Sequence, residues 1–110
     1  DNDVTRNFAA RRMFMGAQGL SPLGLMEADP LLIQAEQKLI GQADELVVLV
    51  DSSKFRKRSS LILCPLSRIQ TVITDDGITD REAAMLASAE IRLIVAPSGA
   101  AGREDAALDA

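Results

Sequence analysis

The chain has 110 residues, of which 47% are hydrophobic and 25% charged, a balance that suits one globular domain and excludes a wholly disordered chain. Its formal charge of -4 argues against holding a nucleic-acid backbone through counterion release, so this segment by itself is not expected to bind DNA. With no His and one Cys, neither a zinc cluster nor a disulfide framework can form within the chain, and no metal or cofactor is expected.

No apolar run approaches the roughly 20 residues needed to span a bilayer, and no charged-then-apolar leader pattern opens the chain. A cytoplasmic protein with no membrane partner is therefore expected. The sequence begins at Asp1 rather than Met, so it is expected to be a piece of a longer polypeptide.

In chain order, Val4, Phe8 and Arg11 fall at helical spacing, with Asp3 or Thr5 available as a cap, which predicts a short amphipathic helix. Met13 to Ala17 reads as a buried strand running into Gly16, Gly19, Ser21, Pro22 and Gly24, a cluster that signals a loop. Asp29 as cap and Pro30 at the first helical position start a helix expected to reach about Ala43. Leu32, Ala35, Leu39, Leu31 and Ile40 should form its packing face, with Gln34, Glu36, Gln37 and Lys38 on the other side.

Leu46 to Val50 is an unbroken apolar run without polar alternation, as in a parallel strand covered on both faces. The basic segment Arg56, Lys57 and Arg58 reads as a solvated loop. Leu61 to Cys64 predicts a short strand, in which Cys64 packs as a small hydrophobe, and Pro65 with Ser67 starts a helical turn. Thr71 to Thr74 is another strand, and Asp75, Asp76 and Gly77 fit a turn better than an acid-base pair. Thr79 and Glu82 form a capping box for a helix over Asp80 to Ala89, and Ile91 to Val95 is the last strand. From Ala96 the composition turns to Pro, Gly, Ala and acids, which predicts a disordered tail over residues 96–110. The order of elements implies an α/β layer structure with a parallel sheet and an exposed edge.

Two strand ends stand out for chemistry. Beyond the carboxyl ends of parallel strands is where ligands are met, and Asp51, Ser52, Ser53 and Lys54 directly follow the Leu46 to Val50 strand. The Gly16 to Gly19 loop follows the preceding one. A capped surface turn explains the same residues equally well on local pattern alone.

Taken together, FMGAQGLSPLG, the AEQKLI helix, LVVLVDSSKF and TVITDDG resemble the sensor domain of the DeoR family of bacterial sugar-metabolism repressors, over roughly Phe14 to Val95. The AEQK helix followed directly by LVVLVDSSK is most similar to the branch containing the L-ascorbate-utilisation repressor. The resemblance implies a Rossmann-like parallel sheet of the ribose-phosphate isomerase and glucosamine-phosphate deaminase type, with residues 1–95 forming the latter part of the sensor domain. It also implies a phosphorylated sugar or sugar acid as effector, homo-oligomers, and contact with DNA only through an N-terminal domain absent from this chain.

On the residues that match the family, Gly16, Gln18 and Gly19 form one ligand loop and Asp51, Ser53 and Lys54 the other. The glycines would admit backbone N–H groups close to the ligand, Lys54 would meet a phosphate, and Asp51 would accept from sugar hydroxyls or orient Lys54. Gln18 stands where the related enzymes carry acid-base carboxylates, which implies binding rather than catalysis. The alternatives are an isomerase or deaminase using Asp51 or Asp75 as base, and a purely structural oligomerisation module.

Overall fold

The structure is a computed structural model and describes residues 11–97. The helix expected around Val4 and Phe8 and nearly all of the expected tail lie outside the described residues.

Among the described residues, seven strands and two α-helices follow in order: β1 (Arg12–Met15), β2 (Gly19–Ser21), β3 (Gly24–Glu27), α1 (Pro30–Gln42), β4 (Glu45–Leu49), β5 (Leu61–Cys64), β6 (Thr71–Asp75), α2 (Asp80–Ser88) and β7 (Arg92–Ala96). Short 3-10 turns cover Ser52–Phe55 and Leu66–Arg68. Strands β1, β4, β6 and β7 form a parallel sheet in that spatial order, so each new strand is laid beside the last. This is the mixed α/β, Rossmann-like layer structure expected from the sequence. Asp29 caps α1 by accepting from Leu31 N at 2.9 Å, and Thr79 and Glu82 close the predicted box on α2.

The structure corrects the expected loop after β1. Gly19 to Glu27 is a hairpin, β2 against β3, and β3 also pairs antiparallel with β5 to make a second sheet of three strands. Glycine hid these strands by acting as a packing residue. A Cβ on Gly19 would lie 2.6 Å from the Lys57 carbonyl oxygen, and one on Gly24, whose φ is +134°, would collide with the Cys64 carbonyl oxygen.

The packing face of α1 is also corrected. Ile40 is buried, but Leu31, Leu32 and Leu39 are 85%, 48% and 52% exposed. The inward side carries Ile33 and Ile40 together with Glu36 and Gln37, whose Nε2 donates to the Leu63 carbonyl at 3.1 Å. That face meets β3 and β5, whose polar backbone rim accepts Gln37, so the tertiary partner overrides the apolar stripe.

One core joins both sheets and both helices: Met15, Leu20, Leu25, Leu46, Val48, Val50, Leu63, Val72 and Leu86 are among its members. Cys64 belongs to it, and burial pushes its thiol pKa up. The other face of the parallel sheet is less covered than the sequence suggested. Phe14 is 60% exposed there, and Leu49 and Ile94 are also exposed.

Candidate functional site

Strand β4 ends because Asp51 turns the chain. Its side chain accepts from Ser53 N at 2.9 Å and from the Ser53 hydroxyl, capping the 3-10 turn Ser52–Phe55. That turn closes with Lys54 N donating to the Asp51 carbonyl at 3.0 Å. It brings the Lys54 ammonium to 3.9 Å from Asp51 Oδ2, with the lysine side chain mostly covered. The Ser53 hydroxyl and amide, assisted by Lys54, hold the Asp51 carboxyl below its ordinary range, so it stays ionised. A carboxylate and an ammonium thus stand side by side at the carboxyl edge of the sheet.

Asp75, at the end of β6, ties that edge together. Its Oδ2 accepts from Ser52 N at 2.8 Å and its Oδ1 from Gly77 N at 2.8 Å. The Ser52 hydroxyl and amide and the Gly77 amide hold this carboxyl low as well. A Cβ on Gly77 would collide with Ser52 Oγ and come within 2.9 Å of Asp75 Oδ1, so only glycine leaves the clasp undisturbed. The Asp-Asp-Gly segment forms the expected turn. Its added role, fixing Ser52 at the neck of the Asp51 to Lys54 turn, has no local signal because it spans 23 residues.

The glycine segment splits in two. Gly16 follows β1 beside the end of β4, where a Cβ would sit at an ordinary 3.5 Å from the Leu49 carbonyl oxygen. Gln18 is exposed, and its backbone N donates to Met26 O at 3.1 Å. Gly19 is buried in β2, which packs against the Ser52–Phe55 turn. Gly16, Asp51, Ser53 and Lys54 therefore share the carboxyl edge, whereas Gly19 lies in the second sheet.

Next to this edge, a cavity of about 450 Å³ is lined by Leu20, Ser21, Pro22, Phe55, Arg81, Glu82 and Met85. Sequence reasoning did not find it, because its walls come from the β2–β3 turn, the end of the 3-10 turn and the start of α2. Arg56 stiffens its border by donating to the Gly77 carbonyl at 2.8 Å and to Glu82 Oε1 at 3.1 Å. Among the described residues, no group of three or more His, Cys, Asp or Glu is placed to hold a metal ion, and no helix is long and apolar enough to cross a membrane.

The chain is 39% identical over 67 residues to the HTH-type transcriptional regulator UlaR of Shigella dysenteriae serotype 1 (strain Sd197). The UlaR proteins of Escherichia coli O1:K1 / APEC and of Escherichia coli (strain K12 / DH10B) match with the same identity and length. The matched stretch is 61% of this chain and 27% of each relative, so the chain spans about a quarter of their length. The profile described as the DeoR C terminal sensor domain matches residues 1–76, through β6 and its Asp75 clasp. Helix α2 and β7 lie beyond that match. The chain belongs to the DeoR C-terminal sensor domain family.

Proposed function

We propose that this chain is the effector-binding and oligomerisation segment of a DeoR-type regulator of sugar metabolism, and that it takes a phosphorylated sugar or sugar acid at the carboxyl edge of its parallel sheet. The observation that carries the reading is the Asp51 and Lys54 pair, 3.9 Å apart on the turn after β4. Lys54 offers a point charge to a phosphate, and the ionised Asp51 accepts from sugar hydroxyls. Gly16, Gln18, Gly19 and Ser53 complete the proposed ligand set, Gly19 by seating β2 against the turn.

Binding without catalysis fits the electrostatics. A general base works best with a pKa near the operating pH, and both strand-end carboxylates, Asp51 and Asp75, are shifted down and engaged by hydrogen bonds. In the whole regulator, the effector would favour one arrangement of the sensor and so bias DNA-binding domains carried elsewhere on the polypeptide. The kinship in fold to ribose-phosphate isomerase and glucosamine-phosphate deaminase belongs to the same proposal.

Titration calorimetry of the chain with pentose, hexose and sugar-acid phosphates tests it. At least one of these should bind, and Lys54→Ala should weaken it tenfold or more while Lys38→Ala, on the exposed side of α1, leaves it unchanged. No heat from any phosphate, or equal affinity in Lys54→Ala, would overturn the assignment.

A further inference from the structure

The cavity beside the carboxyl edge is chemically unlike the edge itself. Its volume of about 450 Å³ is walled by Leu20, which is fully buried, and by Pro22, Phe55 and Met85, of which Phe55 and Met85 pack against the core. Sugar hydroxyls would find few partners on such walls, whereas a ring or a short hydrocarbon chain would gain contact with the Phe55 ring and the Met85 thioether. A largely apolar concavity of this size with a few polar groups is the usual form of a small-molecule site.

The polar groups of the cavity select an anion. Glu82 is already engaged, because its Oε1 accepts from Arg56 at 3.1 Å and from Thr79 N at 3.0 Å, so its charge is balanced within the fold. Arg81, one residue earlier on α2, is exposed and pairs with no acid among the described residues. Ser21 Oγ accepts from Leu23 N at 3.1 Å, which leaves its own proton to donate. An unpaired guanidinium and a hydroxyl donor thus stand at the border of an apolar cavity whose one carboxylate is compensated.

We propose that this cavity is a second small-molecule site, and that it takes a monocarboxylic acid with an apolar body. The planar fork of Arg81 suits the two carboxylate oxygens, Ser21 donates to one of them, and the body lies over Leu20 between Phe55 and Met85. One guanidinium matches one negative charge, whereas a dianionic phosphate would bring uncompensated charge against apolar walls. Arg56 ties the Ser52–Phe55 turn to Glu82 of α2 and to the Gly77 carbonyl, so two of the walls are held together before a ligand arrives. The site uses none of Gly16, Gln18, Gly19, Asp51, Ser53 and Lys54, and it stands whether or not a sugar phosphate binds at the edge.

Nitrogen-15 amide NMR of the purified chain, titrated with benzoate, 3-phenylpropionate and hexanoate at neutral pH, tests the proposal. At least one acid should shift the Leu20, Ser21, Phe55 and Met85 resonances with a Kd of about 1 mM or tighter. The uncharged amide of that acid should bind about tenfold more weakly, and so should the acid to Arg81→Gln, a change at an exposed helix position that leaves the fold intact. No shift with any of the acids up to about 10 mM overturns the proposal. Equal affinity for acid and amide, or equal affinity in Arg81→Gln, overturns it as well, because the guanidinium then recognises nothing. Movement of the same four resonances when the chain is diluted without ligand would give the cavity to a second copy and would likewise overturn it.

Discussion

Glu36 sits on the inward side of α1 with Oε1 buried and without a hydrogen-bond partner, facing a second acid, Glu27, that is 7% exposed. Burial first, and then the charge of Glu27, raise the Glu36 carboxyl above its ordinary 4.5. A carboxyl raised in the native state binds its proton more tightly folded than unfolded, so its contribution is fully present below 4.5 and is lost as pH climbs through the raised value. Glu36→Gln should therefore match the parent chain in urea unfolding near pH 4 and exceed it by about 1 kcal/mol at pH 8. Asp51 and Asp75 act in the opposite sense, losing their contribution as pH falls through their lowered values, and they cancel in that comparison. Gly24 makes a different demand at the same scale. Its positive φ and its contact with the Cys64 carbonyl leave no room for a methyl group, and Gly24→Ala should cost roughly 2–3 kcal/mol in thermal or urea unfolding.

At the scale of elements, both helices end in ways that sequence only half announces. Helix α2 closes with Glu90 N donating to Ala87 O at 3.0 Å and Ile91 N to Leu86 O at 3.0 Å, which requires Glu90 at φ 59°. Glycine adopts that conformation without the side-chain penalty, so Glu90→Gly should raise stability by about 1 kcal/mol in chemical denaturation. Helix α1 ends without a basic residue in its last turn. Arg68 supplies the charge from a distance, its guanidinium donating to Ile40 O at 2.7 Å and to the Ala43 carbonyl. Arg68→Met should strand those carbonyls and cost about 2 kcal/mol in the same measurement. The starts of both helices were legible, because Asp29, Pro30, Thr79 and Glu82 act within one turn of themselves. The hairpin β2–β3 was not, since Gly19 and Gly24 signal a turn in isolation and a close packing contact only when Lys57 and Cys64 are brought against them.

Across the whole molecule, the central strands β4 and β6 have neighbours on both sides, while β1 and β7 have one each among the described residues. Amide hydrogen exchange should accordingly be slowest at Val48 and Val72, both fully buried, and faster in the three-stranded sheet. Equal protection across both sheets would show a single cooperative unit instead.

The sequence by itself determined the parallel strands, the helix starts, the capped turn after β4 and the membership in a sensor family, since each rests on residues close in the chain. Tertiary structure alone decided three things. It turned the apolar stripe of α1 outward, because β3 and β5 accept the side carrying Glu36 and Gln37. It made Asp75 the clasp that holds Ser52, across 23 residues. It brought Gly16 to the edge shared with Asp51 and Lys54 while drawing Gly19 into a second sheet. Periodicity and capping are local properties that the order of neighbouring residues encodes, whereas the choice of packing partner depends on which distant surfaces meet.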